Sequence, residues 1–531
     1  MKPLLNLTIA QFMERTATQW PGRTALTFKG RRWTYRELDL LTDRIAAGLM
    51  AAGVRRGNHV AILSENIPNA VFCFLAIEKA GCVSCMLNTG LKAGELAELM
   101  ALSDVRFLMI GNGYKGVDFY EESRRIGEIY PLEAVFDISG GNNRPCLTLE
   151  QLIQMGREQP QGFRQAREET RPQDDGLILY TSGTTGSSPK AVVSSYYNLV
   201  NGGIQKAHSQ SLTERDVICC ALQLFHIFCI DVNVLSALAC GACLAMPDDL
   251  HTKSILDTIQ TERCTVLSCV PCMYQAMMGR GDFSSFDLSC LRTGIIGGAY
   301  CPPETFVRIE QAFGLTLLPG LGQTEATAGI AIAAPTDSLE IRSTTVGRFV
   351  DHSDGKIADL ESGAALKTGE TGEICVKSSL LMTGYYNRPD LTARAIDRDG
   401  WLHTGDLGFL DSDGYLHYVG RIKEIINRGG EKIIPAEVEA ALSHFPGIKE
   451  CKVIGLPDPY YGEEVCACLV PAREGGNPDA GRVRAYLEPR LASFKLPRHI
   501  VILPALPINP SGKVRRSELR LMAAEALGLK T

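Results

Sequence analysis

The sequence predicts an α/β fold, with a large layered α/β N-terminal domain at residues 1–420 and a small mobile α+β C-terminal cap at residues 421–531. Helix-like and strand-like stretches alternate along the first part of the chain, which favours a mostly parallel sheet. Several short apolar stretches end in glycine-rich turns, as in open α/β sheets that bind ligands at the carboxyl ends of their strands. The length of 531 residues exceeds that of one ordinary domain.

The composition is that of a soluble globular protein, with 45% hydrophobic and 21% charged residues. The net charge of −6 argues against a general nucleic-acid-binding surface. The sequence has no apolar run long enough for a membrane span, and its N-terminal apolar stretch is too short for a signal peptide. We therefore expect a cytoplasmic protein whose 18 cysteines stay reduced.

Two CxxC pairs, Cys82/Cys85 and Cys269/Cys272, raise the alternatives of zinc or redox chemistry. Both pairs lie among apolar and small residues, where free cysteine is a common core residue. The local sequence therefore favours core thiols over a metal site.

The first 110 residues show helical spacing of leucine and isoleucine at 35–50, a short apolar strand at 59–63 and an apolar helix at 71–80. Residues 111–175 carry no clear pattern beyond turns and a polar connector. An apolar run at 177–180 then predicts a strand buried on both faces. This strand leads directly into the stretch around which the chain is organised.

That stretch reads TSGTTGSSPK at residues 181–190. Its glycines allow positive φ and its hydroxyls supply donors, so the loop suits a polyphosphate, with Lys190 as a point charge on it. A Ser/Thr/Gly surface loop is the plainer alternative, and the motif GxxxxGK[ST] of a P-loop is absent. The predicted phosphate-binding residues are Thr181, Ser182, Gly183, Thr184, Thr185 and Gly186.

The run YTSGTTG followed by PK resembles the phosphate-binding signature of the AMP-forming adenylating enzymes. That superfamily includes acyl-CoA synthetases, adenylation domains of peptide synthetases and firefly luciferases. Two departures stand out in this chain. Ser187 and Ser188 separate the last glycine from the proline where one residue is usual, and Ala191 replaces a usual glycine.

Strand-like stretches at 291–296 and 315–318 also end in glycines. The resemblance implies that the following residues contact the nucleotide, and that Glu325 lies near Mg²⁺, a cation that prefers oxygen ligands. Leu321 replaces the aromatic residue that is expected to stack on adenine. The residues implied to bind nucleotide here are Gly298, Ala299, Leu321, Gly322, Gln323 and Thr324.

His226 lies in an otherwise apolar stretch, where a lone histidine is often an ordinary core residue. The resemblance implies instead that His226, Ile227 and Phe228 line the carboxylate pocket, with His226 among the catalytic residues. It also implies a ribose-binding role for Asp406, which in isolation is equally well a turn residue. Arg421 is expected near the ribose or the α-phosphate.

In the C-terminal part of the chain, the resemblance places a domain hinge at Lys423. Gly429 and Gly430 form a tight loop that we count among the nucleotide-binding residues. The segment PINPSGK is predicted to be an exposed loop that presents Lys513. The resemblance makes Lys513 the catalytic lysine, although any surface loop can carry a lysine.

Five such segments match in the right order over about residues 30–520. The resemblance implies a carboxylate–CoA ligase that uses ATP, Mg²⁺ and coenzyme A and forms acyl-AMP, then acyl-CoA. An apolar interior rich in Cys and Met suggests a medium- or long-chain fatty acid, or an aryl acid. The alternatives are an adenylating enzyme that loads a separate carrier protein, a luciferase-like oxidase and a non-catalytic AMP-binding protein. We expect no nucleic-acid partner and allow for a homodimer.

Overall fold

The computed structural model describes residues 3–141, 144–158, 161–181, 189–327, 329–472, 478–508 and 514–529. The chain divides into two compact units, the first formed by Met1–Asp354 with Val376–Leu402 and the second by Gly355–Cys375 with His403–Thr531. The boundary between residues 420 and 421 stays a prediction. Within the described ranges, no helix combines the length and the apolar character that crossing a membrane requires.

A nine-stranded sheet forms one layer of the first unit. Its central strands are parallel, and the pairs at its two ends are antiparallel. This agrees with the mostly parallel sheet expected from the alternation of helices and strands. In spatial order the strands are Arg348–Phe349, Ala331–Ile332, Thr316–Leu321, Thr293–Gly297, Val266–Leu267, Val217–Cys219, Cys243–Ala245, Thr24–Phe28 and Arg31–Thr34.

An eight-stranded sheet forms a second layer. It is parallel from Asp175–Thr181 onwards and antiparallel at the edge that carries the phosphate-loop hairpin. In order its strands are Gly384–Tyr385, Lys190–Ser195, Asp175–Thr181, Val83–Met86, His59–Leu63, Phe107–Ile110, Ala134–Asp137 and Leu147–Thr148. A small ribbon pairs Gly113–Tyr114 with Val117–Asp118.

Helices cover these sheets, and local sequence signals explain several of their ends. Thr34 forms a capping box with Glu37 and starts the helix Tyr35–Ala51. Pro68 begins the helix Pro68–Lys79 earlier than the sequence predicts, because proline fits the first helical position. The other α-helices are Ile9–Gln19, Ala93–Leu102, Phe119–Ile129, Leu149–Met155, Gln161–Glu169, Tyr196–Ser209, Ile227–Cys229, Ser236–Cys240, Thr252–Glu262, Pro271–Met278, Pro303–Phe313, Leu339–Thr344 and Pro389–Ala395.

The segment from residue 227 to 240 is one continuous helical stretch with a wide middle. Its first and last turns are α-helical, and the six residues Ile230–Leu235 between them are π-helical. Short π-helical bulges inside α-helices are rare and frequently occur at functional sites. We refer to Ile230–Leu235 as the π-bulge.

The second unit is α+β, as expected. Most of a four-stranded sheet belongs to it, formed by Ser353–Ala358, Gly372–Ser378, Leu402–Leu410 and Leu416–Arg421. A further sheet contains Glu431–Ile433, Ile426–Arg428, Gly462–Pro471, Ile448–Asp458 and His499–Ile502. Apolar clusters lie between this sheet and the helices Pro435–Ser443, Ala480–Leu487 and Arg516–Ala526.

Candidate active site

The phosphate loop is held at both ends by an antiparallel hairpin. The strands Asp175–Thr181 and Lys190–Ser195 pair so that Thr181 lies directly opposite Lys190. Lys190 is therefore fixed at the base of the loop. The predicted phosphate-binding residues Ser182, Gly183, Thr184, Thr185 and Gly186 lie outside the described residues.

Tyr385 joins two predicted site residues that are far apart in the sequence. Its hydroxyl donates a hydrogen bond to Glu325 Oε1 at 2.9 Å, and Lys190 Nζ lies 4.7 Å from the centroid of its ring. Burial and the neighbouring Glu325 carboxylate raise the pKa of Tyr385, so the phenol stays protonated as a donor. The structure thus connects Lys190 and Glu325 through Tyr385, which contacts Lys190 with its ring and Glu325 with its hydroxyl. The sequence analysis did not identify this tyrosine.

The two glycine-ended strands lie side by side. In the parallel pair Thr293–Gly297 and Thr316–Leu321, Gly297 lies opposite Gly320. A Cβ on Gly297 would lie only 2.8 Å from the Gly320 carbonyl oxygen, so a larger residue would force the strands apart. The following residues Gly298, Ala299, Leu321, Gly322, Gln323 and Thr324 therefore come out at the same edge of the sheet, and Glu325 lies in the short 3₁₀ turn Thr324–Ala326.

The segment predicted to line the carboxylate pocket approaches this edge. His226 precedes the helical turn Ile227–Cys229 and its ring lies 4.6 Å from that of Phe225, centroid to centroid. The Phe228 ring comes within 3.9 Å of the position that a Cβ on Gly297 would occupy. Phe228 also packs against an apolar cluster formed by Val232, Ile295, Leu318 and Ile332. The catalytic role of His226 stays a prediction.

In the second unit, Asp406 and Arg421 lie directly opposite each other on paired strands. Arg421 Nε and Asp406 Oδ1 are 3.0 Å apart, and the Asp406 side chain is 1% exposed. Burial alone would lower the pKa of Arg421, but Asp406, Tyr418 and Glu424 raise it above its ordinary value. The guanidinium therefore remains a cation next to the predicted ribose-binding carboxylate.

Glu373 holds the turn before Asp406. Its Oε1 accepts a hydrogen bond from the Gly405 backbone N–H at 2.9 Å, and its Oε2 lies 2.8 Å from His403 Nδ1. Glu373, Cys375 and His403 offer a carboxylate oxygen, a sulfur and a ring nitrogen that all lie within 4.8 Å of one another. Neither CxxC pair belongs to this group, and burial raises the pKa of the Cys82 thiol to about 12.

The remaining predicted residues of the second unit lie in turns. Lys423 lies in the 3₁₀ turn Ile422–Glu424, between two strands, which suits a hinge. Gly429 and Gly430 join the strands Ile426–Arg428 and Glu431–Ile433 with φ values of 59° and 95°, which favour glycine at both positions. Lys513 lies outside the described residues. The functional roles of all four residues stay predictions.

Taken together, the layered α/β unit with its clustered strand ends and the small α+β unit define an AMP-forming adenylating enzyme. Comparison with known proteins supports this class along most of the chain. Residues 13–386 match the family model "AMP-binding enzyme", and residues 437–513 match "AMP-binding enzyme C-terminal domain". The chain belongs to the AMP-binding enzyme family, and it is an AMP-forming acid–thiol ligase.

Similar proteins include an acyl-CoA ligase, sidI, of Aspergillus fumigatus, which is 34% identical over 98% of this chain and 92% of its own length. A feruloyl-CoA synthase of an Amycolatopsis species is 34% identical over 97% of this chain and 99% of its own. Among solved structures, the anthranilate CoA ligase AuaEII in complex with anthranoyl-AMP has a TM-score of 0.87 at 26% identity, covering 99% of both chains.

Proposed function

We propose that this ligase converts an apolar carboxylic acid, a medium- or long-chain fatty acid or an aryl acid, into its CoA thioester. The observation that carries the proposal is the apolar cluster around Phe228, which lies against the glycine-ended strands next to the predicted nucleotide-binding segments. An aryl acid also agrees with the names of two similar proteins, a feruloyl-CoA synthase and an anthranilate CoA ligase.

In the first half-reaction, an oxygen of the acid attacks the α-phosphorus of ATP and pyrophosphate leaves. Lys190 and Lys513 neutralise charge on the phosphates, and the loop from Thr181 to Gly186 donates hydrogen bonds to them. Such preorganised groups stabilise the charge that develops in the transition state. Asp406 accepts hydrogen bonds from the ribose and Arg421 lies near it. Glu325 suits Mg²⁺, because Tyr385 orients its carboxylate and Mg²⁺ prefers such oxygen ligands. Bound there, the ion adds positive charge beside the phosphates.

In the second half-reaction, the thiol of coenzyme A attacks the acyl carbonyl carbon and AMP leaves. The cap rotates about Lys423 between the two steps and removes Lys513 from the site, so that one chain exposes two catalytic faces in turn. We further propose that the enzyme is cytoplasmic and that it can form a homodimer. There are two competing hypotheses: the enzyme loads a separate carrier protein, or the protein binds AMP without catalysis. Pyrophosphate release that depends on the acid would exclude the second hypothesis.

The first prediction concerns Lys513→Ala. Losing one preorganised stabiliser of a developing charge should lower the rate of adenylation by roughly 10²–10³. Conversion of supplied acyl-AMP to acyl-CoA should stay within a few-fold of the wild type, because Lys513 has then left the site. Pyrophosphate release and thioester formation are measured separately on the purified variant.

Arg515→Ala is the matched control, since Arg515 is an exposed cation two residues further along that pairs with Glu518. It should leave both half-reactions unchanged. Normal pyrophosphate release by Lys513→Ala, or an equal loss of both half-reactions, would contradict the assigned role. A carrier-dependent enzyme would instead release pyrophosphate but form no acyl-CoA.

A further inference from the structure

Three side chains of different chemistry converge on one point of the four-stranded sheet, and all three belong to the second unit. Glu373 and Cys375 lie on the strand Gly372–Ser378, and His403 lies on the neighbouring strand Leu402–Leu410. Because side chains alternate between the two faces of a strand, positions 373 and 375 share one face. His403 meets them from the next strand, with its Nδ1 2.8 Å from Glu373 Oε2 and 3.6 Å from Cys375 Sγ.

The spacing of these atoms is close to that of the ligands in a tetrahedral zinc site. Zinc lies about 2.3 Å from a cysteine sulfur and about 2.0–2.2 Å from a histidine nitrogen or a carboxylate oxygen. At a tetrahedral angle this places sulfur and nitrogen about 3.5 Å apart, and nitrogen and oxygen about 3.4 Å apart. The Cys375–His403 distance of 3.6 Å already agrees with this spacing. The Glu373–His403 distance of 2.8 Å is that of a hydrogen bond, so the carboxylate oxygen has to move back by about 0.6 Å.

The surroundings of the three side chains also suit a metal ion. The other carboxylate oxygen of Glu373 accepts a hydrogen bond from the Gly405 backbone N–H at 2.9 Å, and such outer hydrogen bonds orient the carboxylates that ligate metals. Cys375 is fully buried, whereas the side chains of Glu373 and His403 are 15% and 31% exposed. An ion can therefore reach the buried sulfur from the solvent along the two partly exposed ligands.

We infer that Glu373, Cys375 and His403 form a binding site for Zn²⁺. A thiolate and an imidazole favour zinc over Mg²⁺, which prefers oxygen ligands, so Mg²⁺ supplied with ATP does not compete for the site. On binding, the thiol releases its proton to the solvent, because cysteine ligates as the thiolate, and His403 ligates through Nδ1 as a neutral ring with its proton on Nε2. Three protein ligands leave the fourth position to water, unlike the closed four-ligand sites of structural zinc.

The zinc site would lie in the turn that leads to the predicted ribose-binding residue. The Asp406 N–H donates to Thr404 Oγ1 at 3.1 Å, and that hydroxyl donates at 2.7 Å to the carbonyl oxygen of Ile374, the residue between the two ligands of the other strand. A bound ion joins the same two strands, so it makes this turn more rigid without taking part in a chemical step. The inference rests on the geometry of the second unit alone and does not depend on the proposed function.

The experiment measures Zn²⁺ binding to the full chain, purified without an affinity tag and stripped of metal by a chelator. After equilibration with ZnCl₂ and dialysis against excess Mg²⁺, metal analysis should find one Zn²⁺ per chain. Co²⁺ in place of Zn²⁺ should give a sulfur-to-cobalt charge-transfer band. Cys375→Ala should abolish this band and weaken Zn²⁺ binding, measured by chelator competition, by at least about 10²-fold, because even an outer-shell partner contributes 10–100-fold to metal affinity.

Cys451→Ala is the matched control, because Cys451 is a partly buried thiol of the same unit that donates a weak hydrogen bond to the Glu439 carbonyl oxygen. It should keep both the band and the affinity of the wild type. His403→Gln, at the most exposed of the three ligands, should weaken Zn²⁺ binding as Cys375→Ala does, and it decides the matter if Cys375→Ala does not fold. Circular dichroism of the metal-free variants checks folding.

Three results would overturn the zinc site. The wild type could retain no Zn²⁺ after dialysis, or the folded Cys375→Ala or His403→Gln variant could bind Zn²⁺ as tightly as the wild type. An equal loss of affinity in Cys375→Ala and Cys451→Ala would likewise show that the ion is not held by the three proposed ligands.

Discussion

The first unit buries two lysines in different ways. Lys79 Nζ lies 2.8 Å from Asp39 Oδ1, 2.6 Å from Asp43 Oδ1 and 3.2 Å from Thr42 Oγ1, and its side chain is fully buried. Lys206 is nearly as buried, but the carboxylate it faces, Asp231, forms no hydrogen bond within the described residues. Lys79 thus contacts its partners directly, whereas Lys206 interacts electrostatically with a carboxylate that accepts no hydrogen bond within the described residues.

The two lysines differ in how much their burial costs the stability of the fold. A buried charge is retained at low cost when paired and hydrogen-bonded, as at Lys79. An incompletely satisfied pair costs stability, and proteins keep such exceptions mainly at functional sites. Asp231 is such an incompletely satisfied residue: it lies in the π-bulge, and its carboxylate lies against Gly202 of the helix Tyr196–Ser209.

The largest stability effect is expected for Lys79→Met. It removes the lysine that pairs with Asp39 and Asp43 and leaves Asp43 with Arg167, whose Nη1 lies 3.6 Å from Asp43 Oδ1. Removing one partner of a buried pair costs about 3–5 kcal/mol. We expect the lower end because the aspartates are 20% and 10% exposed and Asp43 keeps a cation. The free energy of unfolding is measured in urea. A loss below about 1 kcal/mol would mean that the Lys79 cluster does not stabilise the fold.

A smaller effect is expected for Lys206→Met. Burial raises the pKa of Asp231 and the Lys206 ammonium opposes this rise, so removing the ammonium raises that pKa further and favours the protonated carboxyl group. We expect a loss of roughly 1–3 kcal/mol, typical of a buried polar group without a partner.

The loss in Lys206→Met should also depend on pH. A carboxyl group with a raised pKa in the folded state binds more protons there, so stability falls as the pH rises from about its ordinary value of 3.8 through the folded-state pKa. Unfolding measured at pH 5 and pH 8 should therefore show the variant less stable at pH 8, relative to the wild type. The same difference at both values would contradict protonation of Asp231.

The smallest effect is expected for the double variant Lys206→Met/Asp231→Leu. Replacing both members of a buried pair by apolar residues is often neutral or stabilising, so the unfolding free energy should stay within about 1 kcal/mol of the wild type. The pH dependence that Asp231 contributes, which Lys206→Met enlarges, should disappear with the carboxyl group. A double variant less stable than Lys206→Met would show that Asp231 supports the fold itself.

Local patterns predicted the layered α/β fold, the strand before the phosphate loop and the glycine-ended strands, because each depends on residues close in sequence. Tyr385 was missed because its contact with Glu325 spans 60 residues and depends on a two-residue edge strand. The pairing of Asp406 was missed for a different reason. Counting back from the turn places Asp406 opposite Gly420, and an irregularity between Leu407 and Gly408 shifts its partner to Arg421.

The Lys206–Asp231 pair gave no signal in the sequence. Lys206 occurs at an ordinary position of an amphipathic helix, and Asp231 in an apolar run reads as a single polar interruption. Asp231 lies in the π-bulge, and its carboxylate lies against Gly202 of the helix Tyr196–Ser209, a contact between residues 29 positions apart in the sequence. Only the structure therefore connects these two residues.

The hairpin at the phosphate loop determines how freely the length and sequence of that loop can change. Because Thr181 and Lys190 are fixed opposite each other by strand pairing, the entropy of closing the loop between them grows only slowly with its length. The additional serine, Ser187 or Ser188, therefore adds little to that cost and leaves the lysine at its place in the sheet. The tip of the loop is free to diversify in sequence and length, while the cation beneath it keeps its position.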